Sequence, residues 1–487
     1  MNLMQLLEKN QQVHFQILTI FFQQGSEISY KTLANTLSIS SPTLQKELQQ
    51  LGENLSVFHS KASLEIKEND RLRLILPLDF SIQHFFYEYL SKAVDFQIIE
   101  YLFFHREGST TKLMMDLMLS EASLFRHFKT INHLLEEFQL QMKNKKLIGD
   151  ERQIRFFFYS FFSQSYPLAK IEQTFRNPAI RNVIHVIEQQ LDIAIDPLNR
   201  WKMVLWLGLM EARFDFRSSQ QHGASKELLK QLETDSTFQT LRNILGRYLS
   251  RFALSWSDYE AVYLYLFLIM EGLLVIDGSD DSSSEFMLEL THASQTLIQT
   301  FSDDTQDISL HYPEISSFLV IIILKARYLT GALTSFADFP PHFLRGVAMM
   351  EAANLAVEQL AQGMAPFSDE KRRKLTHDLS FVIEWLQENQ QKEMKIGVLL
   401  SQNRLRADVL RRFLTKQLSG YPYMKVEAAQ ETVYDLLIVD QPQIAENYRY
   451  QKLFILTGVI DRFEEQRLHQ VIAEIRRENL ESELEKL

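Results

Sequence analysis

Residues 29–51, SYKTLANTLSISSPTLQKELQQL, carry the clearest structural pattern of the N-terminal region. Its apolar residues recur at helical spacing on both sides of a short turn, as Leu33, Ala34 and Leu37, then Ile39, then Leu44, Leu48 and Leu51. This spacing predicts two short helices joined by a tight turn. Ser41 followed by Pro42 places the start of the second helix at about Pro42, because serine caps helix N-termini and proline suits the first helical position.

Short strands are predicted after the second helix. Residues 57–59, 64–67 and 71–76 have strand composition, and residues 68–70 read Glu-Asn-Asp, which is typical of a turn. Two helices followed by a β-hairpin predict a winged helix-turn-helix unit.

The same pattern recurs when the sequence is shifted by 80 residues. The shift aligns Leu33 with Leu113, Leu37 with Leu117, Ile39 with Leu119, Leu44 with Leu124, Leu48 with Phe128 and Leu51 with Ile131, and also Ser40 with Ser120 and Lys46 with Arg126. An ordinary three-helix bundle also places leucines at helical spacing. The repeat nevertheless favours two tandem helix-turn-helix units.

Candidate DNA-contacting residues lie on the predicted outer faces of the second helix of each unit, where side chains of such helices reach the major groove. They are Thr43, Gln45, Lys46 and Gln49 in the first unit, and Ser123, Arg126, His127, Lys129 and Thr130 in the second, with Lys143, Lys145 and Lys146 in its predicted wing. For each residue the alternative interpretation is an ordinary solvated helix face. Arg126 and Lys129 are the strongest candidates, because they lie where groove-facing residues belong.

Charge is distributed unevenly along the chain. The net charge is −11, yet residues 31–73 carry +1 and residues 122–146 carry +3, which leaves −15 for the remainder. Because Lys and Arg neutralise phosphates, any DNA contact is predicted in the N-terminal region, and the second unit is predicted to contribute more affinity.

Length and composition exclude several classes of protein. A chain of 487 residues is expected to form about three or four domains. The absence of cysteine excludes disulfides, thiolate metal sites and a catalytic thiol. The N-terminus does not read as a signal peptide, and the longest apolar runs, residues 262–276 and 318–324, are shorter than the roughly 20 residues of a spanning helix. A cytoplasmic protein with no membrane partner is expected.

The segment LIGDERQIRFFFYSFF, residues 147–162, follows the second unit and resembles the L-x-G-x-E-x-x-I-R junction of sugar-regulated activators. With the tandem helix-turn-helix units, the chain resembles the Mga/AtxA family of virulence regulators. The resemblance implies a mainly α, multidomain fold. Its five domains are two winged helix-turn-helix units at residues 1–78 and 79–165, two all-helical regulatory domains at 166–280 and 281–391, and a small α/β domain at 392–487.

The middle of the chain fits this order. Two blocks of helical pattern, residues 177–277 and 286–390, flank a linker-like segment at residues 276–285 and resemble the paired phosphotransferase-regulation domains of the family. Phe267 stands where the family's phosphoaccepting histidine is expected. The candidate phosphorylation sites are therefore other histidines, namely His185, His222, His292 and His377, with His311 and His342 also considered. For each of them the alternative interpretation is an ordinary surface or hydrogen-bonded histidine. His292 and His377 are expected to have accessible rings.

The pattern changes to strand-helix alternation after residue 393. MKIGVLL at residues 394–400 predicts a buried parallel strand, residues 401–418 a helix, and residues 424–429, 434–440 and 452–458 further strands before a final helix from Glu464. This domain resembles enzyme IIB sugar-transport proteins. Their phosphorylated cysteine is absent, which predicts a scaffold for dimerisation or partner docking rather than phosphotransfer.

These observations together predict a DNA-binding transcriptional regulator, most simply an activator, that has no catalytic residues, cofactor or metal. Its expected partners are double-stranded DNA, a second copy of the chain and, as the resemblance implies, phosphocarrier proteins and RNA polymerase. The alternatives are an RNA-binding antiterminator and a phosphotransferase-system enzyme. A repeated helix-turn-helix disfavours the first, and the missing cysteine and the lack of a dense His/Asp/Glu cluster disfavour the second.

Overall fold

A computed structural model covers the 487 residues, and the structure describes all of them except residues 68–69, 106–109, 144–145, 214–224, 251–256, 275–283, 300–312, 337–346, 363, 390–393, 402–403, 419–423, 431–432, 457–461 and 485–487. The chain divides into two compact units, Met1–Val382 and Ile383–Leu487.

The first helix-turn-helix region begins the larger unit. Its elements are α1 (Lys9–Gln24), β1 (Glu27–Ser29), α2 (Tyr30–Leu37), α3 (Ser41–Phe58), β2 (Ser63–Lys67) and β3 (Arg71–Ile75). The three strands form an antiparallel sheet in the order β1-β3-β2. Strand β1 was not predicted, because three residues carry too little periodicity to stand out.

Two local predictions in this region are wrong. The N-cap of α3 is Ser40 and not Ser41, so the helix begins at Ser41, close to the predicted start at about Pro42, and Pro42 lies in its first turn. Residues 57 and 58 belong to α3 and not to a strand. The ring of Phe58 packs against Phe80 and Phe85, with centroids 5.3 and 5.2 Å away, so its burial favours one more helical turn.

The second helix-turn-helix region also ends in two helices followed by a hairpin, but its described residues include an additional helix and no strand corresponding to β1. It consists of α4 (Ile82–Leu90), α5 (Val94–Phe104), α6 (Thr110–Asp116), α7 (Glu121–Leu135), β4 (Gln141–Lys143) and β5 (Lys146–Ile148). Strands β4 and β5 form an antiparallel hairpin. A short 3-10 turn, Glu136–Phe138, links α7 to this hairpin.

Helices build the rest of the larger unit, and α8 (Glu151–Ser165) lies in its core. The following helices are α9 (Leu168–Thr174), α10 (Pro178–Leu191), α11 (Arg200–Arg213), α12 (Ser225–Gln231), α13 (Ser236–Ser250), α14 (Tyr259–Met270), α15 (Glu285–Gln299), α16 (Pro313–Tyr328), α17 (Val347–Ala361) and α18 (Asp369–Asn389), which continues past the end of this unit at Val382. Phe161 of α8 stacks on Phe96 of α5, with centroids 4.8 Å apart, so the junction segment is a packed core helix.

Helix α8 also carries a buried cluster of charges. Arg155 donates from Nη1 and Nη2 to the Glu260 carboxylate of α14 at 2.5 and 2.8 Å, and from Nε to Glu151 at 2.9 Å. Arg213 of α11 donates to both carboxylate oxygens of Glu151, at 3.1 and 2.6 Å. Burial alone would raise the pKa of Glu151, but the two guanidinium groups outweigh it and hold that pKa low. The four charges cancel and tie α8 to α11 and α14.

The smaller unit contains a parallel four-stranded sheet. Its strands are β6 (Met394–Leu399), β7 (Met424–Ala428), β8 (Val433–Val439) and β9 (Arg449–Ile455), in the order β7-β6-β8-β9. The helices are α19 (Arg404–Leu418) and α20 (Arg462–Leu484). The prediction of a mainly helical chain with a small C-terminal α/β region is confirmed. The winged assembly, the likeness of the helical blocks to regulatory domains and the enzyme IIB likeness remain predictions.

Across the described ranges, no helix combines the length and the apolar character needed to cross a membrane.

Candidate DNA-binding surface

The turns of the two helix-turn-helix units have the same backbone geometry. Ser38 and Met118, 80 residues apart, both adopt the left-handed conformation, with φ of 54° and 52°. The amide of the next residue then donates back to the preceding helix, from Ile39 to the Ala34 carbonyl at 3.3 Å and from Leu119 to the Met114 carbonyl at 2.9 Å. The two units therefore share this backbone hydrogen bond as well as the spacing of their apolar residues.

The second helix of each unit begins at an equivalent serine cap. The Ser40 Oγ accepts a hydrogen bond from the Thr43 amide at 3.5 Å, and the Ser120 Oγ accepts one from the Ser123 amide at 3.3 Å. These caps satisfy amides that have no partner within the helix. The buried residues Leu44 and Leu124 follow in the first turn and hold α3 and α7 against their units.

The four candidate residues on α3 are all exposed, as predicted. They are Thr43, Gln45, Lys46 and Gln49. The Thr43 hydroxyl lies 2.8 Å from that of Ser40, and Gln49 donates to Glu53 at 3.0 Å, so both are partly engaged within the helix. Lys46 makes no ion pair with any other described residue.

On α7 the structure separates the candidates. Arg126, Lys129 and Thr130 are exposed or nearly so, whereas Ser123 is half-buried. His127 is half-buried. Its Nδ1 lies 2.7 Å from Oδ1 of the buried Asp95 on α5, while 30% of its side chain remains exposed, so one edge of the ring is engaged within the protein. Helical spacing alone cannot identify this contact, because it depends on how α5 packs on α7.

The two hairpins differ in whether an acidic side chain lies near their basic side chains. Glu27 on the unpredicted strand β1 faces the basic side chains of the first hairpin, with the Lys67 ammonium 2.6 Å from its Oε1 and the Arg71 and Arg73 guanidinium groups 3.8 Å away. Lys67 lowers the pKa of Glu27 first by its hydrogen bond and then by its charge. A count of charges along the sequence does not reveal this neutralisation, because it depends on strand pairing.

The second hairpin has no such carboxylate among its described contacts. Lys143 is exposed and Lys146 is half-buried, while Lys145 lies outside the described residues. The basic charge of Lys143 therefore remains open to solvent beside α7.

A buried contact holds α3 in the first unit. The His14 Nε2 of α1 lies 3.0 Å from Glu47 of α3, and its Nδ1 lies 3.1 Å from the Tyr89 hydroxyl. Burial lowers the pKa of His14, and the nearby carboxylate only partly offsets this. Neither His14 nor Glu47 was predicted from the sequence, since a lone histidine on an apolar helix face carries no distinctive spacing.

The candidate phosphorylation sites occupy different environments. His185 on α10 and His292 on α15 lie at the surface. His377 on α18 is half-buried, its Nδ1 is shielded from solvent and its ring stands edge-on to Phe381 at 5.1 Å. The ring of His377 is therefore less accessible than that of His185 or His292. His222, like His311 and His342, lies outside the described residues.

Phe267, at the place expected for a family histidine, lies in the core. Its ring stacks on Trp206 of α11 with centroids 4.4 Å apart and is fully buried. A side chain at this buried position is not accessible to a phosphate donor in solvent.

Known proteins are similar to this chain in the same N-terminal region. The family model of the Mga helix-turn-helix domain matches residues 1–74 and 78–162. A relative from Streptococcus pneumoniae serotype 4, described as a putative trans-acting regulator, is 24% identical over 33% of this chain and 32% of its own length. The capsule synthesis positive regulator AcpA of Bacillus anthracis is 25% identical over 42% of this chain and 43% of its own length. The match thus spans less than half of either curated relative.

The two matched ranges coincide with the two helix-turn-helix regions described above. They also cover α3 and α7, which carry the exposed candidate residues. The predicted resemblance to Mga/AtxA-like regulators is therefore confirmed, and the N-terminal third of this chain is similar to the Mga helix-turn-helix domain.

Proposed function

We propose that this chain is a cytoplasmic, DNA-binding regulator of transcription. The observation that carries the proposal is the repeated geometry of the two helix-turn-helix units, each presenting the exposed outer face of its second helix. Helices of this kind enter the major groove, where their side chains contact bases and phosphates. In this proposal the hairpins β2–β3 and β4–β5 act as wings that contact the phosphate backbone.

The second unit is proposed to supply more of the affinity. Arg126 and Lys129 lie one turn apart on the outer face of α7, and Lys143 extends the basic surface onto the adjacent hairpin. In the first unit, Glu27 partly neutralises the hairpin. Because each phosphate neutralised by Lys or Arg releases counterions, this difference governs affinity and salt dependence.

A salt titration of the full-length chain tests the proposal. Binding to a fluorescent duplex is measured by anisotropy at several salt concentrations for the wild type and for Arg126→Ala/Lys129→Ala. A control variant, Lys226→Ala/Arg412→Ala, removes the same charge from exposed positions elsewhere. We expect the α7 variant to lose affinity and to reduce the slope of log K against log salt by about one to two units. Equal losses in both variants would reject a specific role for α7.

Regulation through the helical blocks is the second part of the proposal. The Ala332 amide, in the loop after α16, donates to Glu137 Oε1 at 3.1 Å, and the Ser368 hydroxyl donates to the same oxygen at 2.6 Å. Glu137 belongs to the turn that directly follows α7. A repacking of the second helical block would therefore reach the second DNA-binding unit through this carboxylate.

Phosphotransfer from phosphocarrier proteins is proposed as the signal, with the surface residues His185 and His292 as acceptors and His222 and His377 as further candidates. Phosphate adds a charge of about −1.5 to −2 and strong acceptor oxygens to a helix surface. Arg181 lies one turn before His185 on α10 and offers a partner for that charge.

We also propose that the chain activates transcription, contacts RNA polymerase and forms a homodimer through its C-terminal unit. The printed name of one relative, a positive regulator, supports activation. A parallel sheet without the cysteine of its enzymatic counterparts supports a scaffolding role, and a dimer would present paired DNA-binding units.

A further inference from the structure

A cavity of about 840 Å³ lies in the first helical block, between α9, the start of α10 and the start of α11. Its volume falls within the roughly 300–1,000 Å³ typical of small-molecule sites. Basic side chains and large apolar side chains both contribute to its lining, and among them Arg181 has also been named above as a partner for a phosphate on His185.

Three arginines line the cavity. Arg200 is engaged, since its Nη2 lies 2.8 Å from both carboxylate oxygens of Glu188. Arg176, in the loop before α10, and Arg181, in the first turn of α10, are exposed and form no ion pair with any other described residue. Glu172 is the carboxylate among the lining residues, so the lining has an excess of positive charge in a chain whose net charge is −11.

The apolar part of the lining is equally distinct. Leu198 and Leu168 at the rim are 79% and 50% exposed. The half-buried side chains of Trp201 and Val204 and the buried side chain of Ile184 continue the apolar surface inward. Large apolar side chains left open to water beside unpaired guanidinium groups fit a ligand that carries an anion at one end and an apolar body at the other.

We propose that this cavity binds a phosphomonoester with an aromatic or branched apolar body. Guanidinium groups match the planar, bidentate geometry of phosphate oxygens, and the two arginines that lack an ion pair outweigh the single carboxylate of Glu172, so the lining attracts the charge of about −2 that a monoester carries at neutral pH. Trp201, Leu198 and Leu168 cover the apolar body. The site is independent of the DNA-binding role, because none of these residues belongs to the helix-turn-helix units.

Three probes test the anion-binding part and the apolar part of the site separately. Naphthyl phosphate carries both features, naphthol only the ring and inorganic phosphate only the anion. Each is titrated calorimetrically into the full-length chain at constant ionic strength. Because it engages both the arginines and the apolar side chains, we expect naphthyl phosphate to bind at least about tenfold more tightly than either partial probe, a difference of about 1.4 kcal/mol in binding free energy. Absence of saturable naphthyl phosphate binding at concentrations up to about 1 mM would overturn the proposal.

Variants then locate the binding. Arg176→Ala/Arg181→Ala should weaken naphthyl phosphate binding by about tenfold or more, whereas Lys226→Ala/Arg412→Ala removes equal charge and should leave it unchanged. Leu198→Ser should weaken naphthyl phosphate binding without affecting inorganic phosphate. All these side chains are exposed, so the melting temperature is expected to stay at the wild-type value. Unchanged binding in the arginine variant, or equal loss in its control, would refute the site.

Discussion

His127 of α7 contacts Asp95 of α5 with 2.7 Å between Nδ1 and Oδ1, and the corresponding contact in the first unit has its charges reversed. There, 80 residues earlier, Glu47 of α3 faces His14 of α1 at 3.0 Å. Each repeat thus ties its second helix to its first long helix by an acid–histidine pair. In the second unit the histidine lies on the second helix of the helix-turn-helix and the acid on the long helix, whereas in the first unit the two residue types have exchanged places. A comparison of residue identities between the two units does not reveal this.

Arg126→Ala is expected to weaken DNA binding more than Lys46→Ala. Both side chains are exposed at equivalent positions of α7 and α3, but Arg126 lies in the more basic unit. Loss of one phosphate contact should reduce the salt slope by about one unit. Anisotropy titrations of the two full-length variants provide the comparison. If neither variant changes affinity or slope, the two helices do not contact DNA.

Acidification is expected to destabilise the first unit through His14. Because burial lowers its folded-state pKa, the unfolded chain binds the proton more readily, so stability is lost as the pH falls through about 6.5. His14→Gln should lose less stability than the wild type between neutral and mildly acidic pH. Thermal unfolding at several pH values measures this, with the exposed His185→Gln as a control that keeps the wild-type dependence. An identical pH dependence in His14→Gln would contradict the prediction.

Arg155→Met is expected to cost about 3–5 kcal/mol of unfolding free energy, because it leaves Glu260 buried without its partner. The double variant Arg155→Met/Glu260→Met keeps the neutral pair of Glu151 and Arg213. It should therefore be less destabilised than the sum of the single variants. Urea denaturation followed by tryptophan fluorescence completes the cycle, and strict additivity would show that the pair is not coupled.

Removal of the C-terminal unit is expected to abolish dimerisation. A chain ending near residue 390 keeps the whole of the larger unit, including both helix-turn-helix regions. Sedimentation velocity should show a dimer for the full-length protein and a monomer for the shortened chain. A stable dimer of the shortened chain would place the interface in the larger unit.

Aspartate and alanine substitutions of the candidate histidines are expected to differ in reporter output. The difference should be clearest at His185 and His292, whose surface rings can accept phosphate, and smaller at His377, whose Nδ1 is shielded. Incubation of the protein with phosphotransferase-system phosphocarriers should leave acid-labile phosphate. If no phosphate is retained and all variants behave as wild type, the helical blocks respond to another signal.

Local signals along the chain predicted much of this architecture. Leucine spacing identifies α2, α3, α6 and α7, and apolar runs such as that of β6 indicate strands of the parallel sheet, because both kinds of element impose their period on the residues that they bury. The resemblance to one regulator family followed from the order of these elements.

The two repeated helix-turn-helix units, the helical middle and the C-terminal α/β region were thus predictable from residue patterns, since each depends on residues close together in the chain. Which polar side chains remain available depends on tertiary packing. Packing brings His127 against Asp95, sets Glu27 against the basic hairpin, and joins Arg155 to Glu260 across 105 residues. Such contacts depend on the packing of helices and strands distant in sequence, and the period of a single helix carries no information about its neighbours.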